Sequence, residues 1–260
     1  DWLSRELTRH GADVIEQPGL VRAYDGTILR IRNFIGQFRP ENRERILLFA
    51  HWDTRPFADK DTLRMREPID GANDGGSGVG VLLEITRLLG ADSTLDVGVD
   101  IVFFDAEDYG TPEWGKKNQN SALTWCLGSQ YWANQPHRIG YNAKYGILLD
   151  MVGAQGAVFN KEGTSMAYAP TVVKRLWESA DRLGYGDYFK PDLTPETIDD
   201  NLFVSEFAGI PSANIVHYQV QVLPMGYGPF HHTHADNQSI ISTATLAAVG
   251  NTVLDVVWNE

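Results

Sequence analysis

Several histidine and carboxylate side chains fall where a folded chain could bring them together. His51 and Asp53 come directly after one short apolar run. Glu107 and Asp108 closely follow a second run, and Asp150 closes a third. Uninterrupted apolar runs of this length are typical of strands covered on both faces. Because the ligands of open α/β sheets collect at the carboxyl ends of the strands, we predict that these side chains meet at one edge of a sheet.

Two further candidates lie in loops rich in turn-forming residues. Asp74 lies in the glycine-rich segment 71–78, where the glycines permit a sharp turn ahead of a helix. His232 lies in segment 230–236, just before the last predicted helix. Hard oxygen ligands combined with imidazole nitrogen suit Zn²⁺. The whole set therefore predicts a zinc site.

Each of these residues also has a plainer interpretation when it is considered alone. Asp74 could cap the helix that follows it, and Asp150 could be a turn acid. Glu107 and Asp108 could be solvated loop charge, and the histidines of 231–234 could be a surface tract. Their joint placement favours chemistry, because acids at the ends of apolar strands would otherwise enter the core at a large desolvation cost.

Apolar runs that alternate with helical periodicity predict the elements that must position these side chains. The strand candidates are residues 28–35, 45–50, 97–104, 146–151 and 212–218. The helix candidates are residues 78–89, 123–134, 171–183, 201–208 and 239–258. Strands alternating with helices argue for an α/β fold, and no linker is long or polar enough to mark a second domain. We therefore predict one domain over residues 1–260, with long functional loops at 55–70 and 108–122.

Composition and charge narrow the classes of function. The formal net charge of −12 argues against nucleic acid as a partner, because phosphate binding needs clustered Lys and Arg. The single cysteine, Cys126, excludes an internal disulfide and a thiolate metal cluster, and its surroundings predict a small buried side chain. No apolar run approaches the roughly 18 residues of a membrane span. The chain begins with Asp1 rather than Met, which favours a processed N-terminus.

The order of these pieces resembles the zinc aminopeptidase family that includes the glutaminyl cyclases. The family pattern is His-x-Asp, an Asp in a glycine-rich turn, adjacent acids after a strand, an Asp, and a late His. The matching residues, spread over about 45–240, are His51-Trp52-Asp53, Asp74, Glu107-Asp108, Asp150 and His232. The resemblance implies a three-layer α/β/α domain with a central mixed, largely parallel, twisted sheet.

The same resemblance implies roles for the matched residues. The implied zinc ligands are Asp74, Asp108 and His232. The implied ligands of a second metal, where one is bound, are His51 and Asp150, with Asp74 as a bridge. Glu107 would be the general acid and base, and Asp53 would orient His51.

Three features resemble the cyclase branch of this family rather than the peptidase branch. Asp199, in the segment 198–200, matches an extra active-site acid that hydrogen-bonds the acid at the Asp150 position. The same residue could instead cap the helix that follows. The segment 232–237 resembles the cyclase zinc-histidine motif, and Trp114 matches a pocket tryptophan.

Three positions depart from the family pattern. Asp108 stands where many members have Glu. His231 and Tyr227 stand where animal cyclases have Trp and Phe. The expected substrate-binding residues are therefore Trp114, Tyr227 and His231, and the expected catalytic residues are Glu107, Asp150 and Asp199.

The resemblance implies an enzyme that converts the N-terminal Gln of peptides to pyroglutamate and releases ammonia, with one zinc ion. The alternative is a two-zinc aminopeptidase in which Glu107 deprotonates the attacking water, and there Asp199 has no assigned task. A third interpretation is a binding module that has lost catalysis, although the complete ligand set and Glu107 argue against it. Peptide or protein N-termini are the implied partner, and we expect an exported, periplasmic or extracellular monomer.

Overall fold

The structure is a computed structural model that describes residues 2–92, 94–116, 121–219 and 226–260. The strands in these residues are β1 (Asp13–Arg22), β2 (Ile28–Phe38), β3 (Arg45–His51), β4 (Gly98–Phe104), β5 (Tyr145–Asp150), β6 (Phe159–Lys161), β7 (Phe189–Leu193) and β8 (Ser212–Val216). The helices are α1 (Trp2–Arg9), α2 (Gly76–Ala91), α3 (Leu127–Asn134), α4 (Gly163–Tyr168), α5 (Pro170–Arg182), α6 (Asp200–Phe207) and α7 (Thr243–Trp258).

The main sheet has six strands in the order β1-β2-β4-β3-β5-β8. The strands β4, β3, β5 and β8 run parallel, and β1 and β2 add an antiparallel edge. His51, the last residue of β3, lies beside Phe104, the last residue of β4. Asp150, the last residue of β5, pairs with Val216 at the end of β8. Four carboxyl ends therefore meet at one edge of the sheet.

Helices cover both faces of this sheet, as the alternation of side chains along β3 shows. Ile46, Leu48 and Ala50 belong to the core cluster shared with α2, α5 and α7. Leu47 and Phe49 belong to the opposite cluster, which α3 and α6 complete. Successive residues of a strand point to opposite faces, so a fully buried strand needs apolar residues at every position. The predicted three-layer α/β/α class with a mixed, largely parallel sheet is confirmed.

All five predicted strands and all five predicted helices are present, with ends shifted by a few residues. The largest shifts are in the helices predicted from residues 123 and 239, which begin at Leu127 and Thr243. A 3-10 turn precedes each of them, at Ser121–Thr124 and Gln238–Ile240. Cys126 takes a left-handed conformation at φ 56°, and its backbone N–H donates to the Glu107 carbonyl. This contact with the neighbouring loop interrupts the helical periodicity.

The elements that sequence reasoning missed are β1, α1, α4, β6 and β7. Strand β1 contains Pro18 and Gly19, which argue against a central strand. It is tolerated because β1 lies at the edge of the sheet and pairs only with β2 among the strands described. The predicted loop 55–70 is present between β3 and α2. Part of the predicted loop 108–122, residues 117–120, lies outside the described residues.

Candidate active site and metal centre

The predicted chemical residues gather around a cavity of about 380 Å³ at the carboxyl edge of the sheet. The sequence-predicted residues that line it are Asp74, Glu107, Asp108, Asp150, Asp199, Tyr227, His231 and His232. His51 is buried beneath them at 1% exposure. Glu107, Asp108 and Asp150 come from the ends of β4 and β5, which meet at this edge, whereas Asp74, Asp199 and His232 come from loops.

The three predicted zinc ligands lie close together, with a carboxylate oxygen of each aspartate near the same ring nitrogen of His232. His232 Nε2 lies 3.1 Å from Asp108 Oδ1 and 3.6 Å from Asp74 Oδ2. Two ligands bound tetrahedrally to one zinc ion stand roughly 3.3 Å apart. Asp74 Oδ2 and Asp108 Oδ2 are buried and have no hydrogen-bond partner among the described residues. Buried carboxylate oxygens are costly unless they are paired or bind a cation, so these residues fit zinc.

A second group of ligand atoms lies directly beside the first. His51 Nε2 is 3.2 Å from Asp74 Oδ1 and 3.2 Å from Asp150 Oδ1. These separations suit either a second ion or a proton carried by the imidazole. Burial alone would lower the pKa of His51, but hydrogen bonds to Asp150, Asp53 and Asp74 raise it well above its usual range. Asp74 is the residue that the two groups share.

Two aspartates hold the loops that carry these ligands. The carboxylate of Asp53 accepts the backbone N–H groups of Glu107 at 3.0 Å and Asp108 at 3.1 Å. Asp53 also contacts His51, but the hydrogen-bonded atom is its backbone carbonyl, 3.1 Å from Nδ1. The Asp53 carboxylate lies 3.6 Å from the same nitrogen, so it faces His51 as well as the neighbouring strand end.

Asp236 plays the same part for the glycine-rich turn. Its Oδ1 accepts the Asn73 N–H at 2.7 Å and its Oδ2 accepts the Asp74 N–H at 2.9 Å. Asn73 Oδ1 in turn accepts the Gly153 N–H at 2.8 Å, which joins this turn to the segment after β5. Bonds from a charged acceptor to backbone donors are the stronger kind, so both ligand loops are firmly anchored.

The backbone at the site is strained at three residues that are not glycine. Ala106, immediately before Glu107, has φ 53°, and Met151, immediately after Asp150, has φ 49°. His232 itself has φ 57°. Left-handed conformations at such residues persist where surrounding contacts over-determine them, and they cluster at functional sites. Ala106 and Met151 are next to Glu107 and Asp150, which line the cavity, and His232 lines it with its own ring.

Glu107 lies in an environment that favours its protonated form. Burial raises the pKa of Glu107 well above its usual range, and the charges of Asp108 and Asp199 raise it further, although His51 opposes them. The Cys126 thiol donates to Glu107 Oε1 at 3.2 Å. A buried carboxyl whose pKa approaches neutrality can both accept and return a proton.

Asp199 caps α6 and also reaches the cavity. It is the N-cap of α6, where Oδ1 accepts the Asp200 N–H at 2.7 Å. Its Oδ2 accepts from Asn214 Nδ2 at 2.7 Å, and its side chain lines the cavity. Burial raises the pKa of Asp199 well above its usual range, with the charge of Asp150 as the next cause. The expected hydrogen bond between Asp199 and Asp150 stays a prediction.

The pocket wall differs from expectation in its tryptophan. Trp114 does not line the cavity; it packs edge-on against Phe57 at 5.5 Å, beneath Arg66, and is 39% exposed. Trp125 lines the cavity instead and stacks on His232 at an interplanar angle of 11°. Both tryptophans follow the paired acids along the chain, which is why sequence order alone did not separate them.

Tyr227 and His231 also line the cavity, and their ring centroids lie 4.6 Å apart. Lys60 Nζ is 2.7 Å from His231 Nδ1. Because an ammonium group only donates, Nδ1 must accept, and the ring proton of neutral His231 then resides on Nε2, which faces Asp74 at 3.8 Å. Burial lowers the pKa of His231 well below its usual range, and the charges of His232 and Lys60 add to this effect.

Sequence reasoning missed three buried residues that support the ligands: Arg55, Asp59 and Asp236. Arg55 and Asp59 lie in a loop that was recognised only as long and charged. Asp236 lies four residues after His232, within the segment already singled out. The sequence shows each of the three as a charged residue close to a proposed ligand. It does not show which side chain or backbone group each one contacts, because those contacts depend on the fold.

A mixed α/β sheet with buried carboxylates and histidines at its carboxyl edge defines the class of aminopeptidase-like α/β metalloenzymes. The family model described as Peptidase family M28 matches residues 33–257. The chain belongs to this family, whose zinc dependence agrees with the ligands described above. Among the described residues, no helix has both the length and the apolar character needed to cross a membrane.

Solved structures with similar chains carry two kinds of name. A glutaminyl cyclase from Tannerella forsythia is 49% identical, with a TM-score of 0.96 over 100% of this chain and 89% of that chain. A Zn-dependent exopeptidase from Parabacteroides distasonis is 48% identical, with a TM-score of 0.96 over 100% of this chain and 88% of that chain. A protein described as a leucine aminopeptidase precursor from Bacteroides thetaiotaomicron is 48% identical, with a TM-score of 0.93 over 100% and 87%.

A more distant relative is Aminopeptidase YwaD of Bacillus subtilis, which is 27% identical over 238 residues. The match covers 87% of this chain but only 44% of that protein. The chain therefore spans less than half the length of this relative.

Proposed function

We propose that the protein is a zinc-dependent glutaminyl-peptide cyclotransferase, which converts the N-terminal glutaminyl residue of a peptide to pyroglutamate and releases ammonia. The observation that carries the proposal is Asp199, an additional buried acid in the wall of the cavity, whose pKa is raised by burial and then by the charge of Asp150. The similarity to the Tannerella forsythia glutaminyl cyclase along the whole chain supports it.

Asp74, Asp108 and His232 would hold the zinc ion. When bound there, zinc supplies a Lewis acid that polarises the carbonyl of the substrate's side-chain amide. The substrate's own α-amine is the nucleophile, so the reaction needs no activated water. One ion is therefore sufficient, and we propose a single zinc per chain.

Glu107 would move the proton. The amine nitrogen forms a bond to the side-chain amide carbon while Glu107 accepts a proton from that nitrogen. Glu107 then donates the proton to the amide nitrogen, the carbon–nitrogen bond breaks, and ammonia leaves. The raised pKa of Glu107 matches this double task, because an acid that must also serve as a base works best near neutrality.

Asp150 and Asp199 would together hold a proton beside this reaction. Burial raises the pKa of Asp150 to about 6 and that of Asp199 well above its usual range. Two buried carboxyl groups that interact strongly titrate as a pair. We propose that the pair orients the substrate's amine and amide groups through its shared proton.

A two-zinc aminopeptidase is the second candidate, and one observation favours it. His51 Nε2 lies 3.2 Å from Asp74 Oδ1 and 3.2 Å from Asp150 Oδ1, and these separations would also suit a second ion. In that enzyme Glu107 would take a proton from the attacking water. Asp199 would then serve only as the cap of α6.

One assay distinguishes the two reactions. A single zinc-loaded preparation is incubated with a Gln-initiated peptide and a Leu-initiated peptide of otherwise equal sequence, and products are identified by mass spectrometry. Loss of one ammonia from the first peptide, with the second unchanged, is the expected result. Release of free leucine or glutamine would establish the aminopeptidase and refute the cyclase. The zinc content of the same preparation, measured by elemental analysis, tests the proposed stoichiometry.

We further propose that the chain acts as one domain, as a monomer and outside the cytoplasm. Location outside the cytoplasm rests on the substrate class, peptide and protein N-termini, that the resemblance to the glutaminyl cyclases implies. Sedimentation analysis tests the monomer, and detection of the native protein only in cytosolic fractions would contradict export. Limited proteolysis that released two stable fragments would contradict a single domain.

A further inference from the structure

The loop between β3 and α2 places a fully buried arginine beneath the zinc-ligand candidates. Arg55 has 0% exposure, and its guanidinium makes a forked contact with Asp59, at 3.1 Å to Oδ1 and 2.6 Å to Oδ2. Its remaining terminal nitrogen donates to the backbone carbonyls of Asp108 at 2.6 Å and Gly110 at 3.1 Å. The Arg55 side chain therefore binds both the backbone of the ligand residue Asp108 and the carboxylate of Asp59, which belongs to the same loop as Arg55.

Asp59 also contacts His232, the histidine among the proposed zinc ligands. Its Oδ1 lies 3.5 Å from His232 Nδ1, and its Oδ2 also accepts the Glu113 N–H at 3.0 Å. A carboxylate cannot donate, so this contact favours the His232 tautomer with its proton on Nδ1. The lone pair of Nε2 then faces Asp108 and Asp74, as zinc ligation requires.

Trp125 closes the arrangement on a third side. Its ring stacks on His232, and the Arg55 guanidinium lies 4.6 Å from the ring centre. Gly110 permits this approach, because a Cβ atom there would meet Trp125 ring atoms at 2.0–2.5 Å. The contacts form a closed ring in which Arg55, Asp59, His232 and Asp108 each touch the next, and Asp108 returns to Arg55.

We propose that Arg55 and Asp59 are a positioning pair that fixes the His232 ring and the Asp108 backbone, and thereby sets the affinity of the site for zinc. Outer partners that orient a ligand histidine typically contribute 10- to 100-fold in metal affinity. The inference rests on the zinc site of the proposed function but holds for either reaction. Arg55 is suited to this position because its fork binds a carboxylate at two atoms while it still donates to backbone carbonyls, which a lysine cannot do.

The test measures zinc affinity rather than turnover. The dissociation constant for Zn²⁺ is determined by competition with a chromophoric chelator for the wild type, Asp59→Ala, Asp59→Asn and Arg55→Lys. We expect about 10- to 100-fold weaker binding for Asp59→Ala and Arg55→Lys, and a smaller loss for Asp59→Asn, which keeps the shape. The visible spectrum of the Co²⁺-substituted protein should change in the same variants. Glu84→Gln is the matched control, because it breaks an exposed Arg–Glu pair on α2 and should leave zinc binding unchanged.

The outcomes separate this inference from its alternatives. A purely structural role would lower the urea midpoint of the metal-free variants while leaving the zinc dissociation constant and the Co²⁺ spectrum unchanged, and would overturn the proposal. If Asp59→Ala does not fold, Asp59→Asn decides the question, and wild-type affinity in that variant would also overturn it. Weakened zinc binding in a protein that proves to be a peptidase would refute the cyclase but support the positioning pair. A wild type that binds no zinc would refute both.

Discussion

At the scale of single residues, the site depends on carboxylates whose surroundings give them different tasks. Burial would raise the pKa of Asp108, but the charge of His232 and its hydrogen bond hold it at about 2, so this residue stays ionised and suits a cation. Glu107, its neighbour in sequence, has a raised pKa and lies against the Cys126 thiol. Adjacent acids with opposite shifts are a common way to separate a ligand from a proton carrier.

Replacement of Glu107 tests its assignment as the proton carrier. Glu107→Gln removes the transferable proton but keeps the shape, and it leaves Asp74, Asp108 and His232 in place. We expect unchanged zinc content and a fall in kcat of about 10²- to 10⁴-fold, the usual contribution of a general acid and base. Steady-state kinetics with a Gln-initiated peptide provide the measurement. Glu178→Gln, an exposed position on α5, is the control, and retained turnover in Glu107→Gln would remove this residue from the mechanism.

Two substitutions at Asp199 distinguish the effect of its charge from its effect as the N-cap of α6. Asn is as good an N-cap as Asp, so Asp199→Asn should keep the cap of α6 while it impairs cyclisation. Its new amide nitrogen can bond to Asn214 only if the Asn214 amide turns over and presents Oδ1, so we expect a small loss of stability. Asp199→Ala loses the cap as well and should cost about 0.5–2 kcal/mol of stability in addition. Urea denaturation and cyclisation rates measured on both variants give the comparison. Full cyclisation activity in Asp199→Asn would reduce Asp199 to the cap of α6.

At the scale of elements, the turn that opens α2 has little freedom. Gly75 follows Asp74 directly and has φ 85°. A Cβ atom there would meet the Asp53 carbonyl at 2.8 Å and His51 Cε1 at 2.9 Å. The glycine therefore lets the turn approach the β3 end closely enough for Asp74 to lie beside His51.

Two glycines of this region make a matched pair of variants. Gly75→Ala should destabilise the protein by about 1–3 kcal/mol, because it combines a forbidden backbone conformation with two close contacts, and zinc affinity should fall with it. Gly80→Ala, one turn further along α2, meets nothing within 4 Å and should stabilise the helix by about 0.5–1 kcal/mol. Thermal and urea unfolding check both signs. A Gly75→Ala protein as stable as the wild type would show that the turn can move.

The elements also explain how far sequence reasoning reached. Strands β3, β4 and β5 were found because both of their faces are buried, so their sequences are apolar at every position, and the acids that follow stand out. Strand β1 was missed because an edge strand needs neither continuous apolarity nor the absence of Pro18. The start of α3 was misplaced because a tertiary contact of Cys126 with the Glu107 loop outweighs helical periodicity.

The supporting residues of the site were harder to predict than the ligands. Ligands must have particular chemical types at strand ends, and those types are visible in the sequence. Asp59 and Asp236 act through distances of 3.5 Å or less to atoms far away in sequence, such as the Asp74 N–H. Trp114 and Trp125 are of the same type and both follow the paired acids, so the sequence does not show which of them lines the cavity. Such contacts follow from the packed fold, which a single sequence does not specify at this resolution.

At the scale of the whole molecule, the two ends of the parallel strands differ in what they bury. The carboxyl ends hold the candidate metal site, whereas the amino ends hold an ion pair between Arg45 and Asp100, at 2.6 Å and 3% and 0% exposure. Gln37 and Tyr141 also bond to the Asp100 carboxylate, at 2.9 Å and 2.6 Å. A buried ion pair that is satisfied in this way favours one arrangement of the strands, and breaking one partner would leave a costly unpaired charge.

His137 links this network to α3 and should make the stability of the protein sensitive to acid. Trp132 Nε1 donates to His137 Nδ1 at 3.1 Å, and the Gln37 amide nitrogen, which also donates to Asp100, lies 3.2 Å from His137 Nε2. Because an indole nitrogen only donates, protonation of Nδ1 would break that bond. Burial lowers the pKa of His137 from 6.5 to about 4, although the charge of Asp100 opposes this shift, and Arg138 and Arg45 reinforce it.

The sign of the pH dependence follows from that lowered pKa. The unfolded chain binds a proton at His137 below pH 6.5, whereas the folded chain resists it down to about pH 4. The stabilising contribution of neutral His137 is therefore complete above pH 6.5 and is lost as the pH falls through this window, by at most about 1.4 kcal/mol per pH unit.

His137→Gln removes the titrating group while it keeps an acceptor for Trp132. Urea unfolding of chelator-treated protein at several pH values between 7 and 4 should show a shallower loss of stability in this variant than in the wild type. His10→Gln, directly after α1, controls for the loss of a histidine outside this network. Equal slopes in wild type and His137→Gln would mean that folding does not lower the pKa of His137.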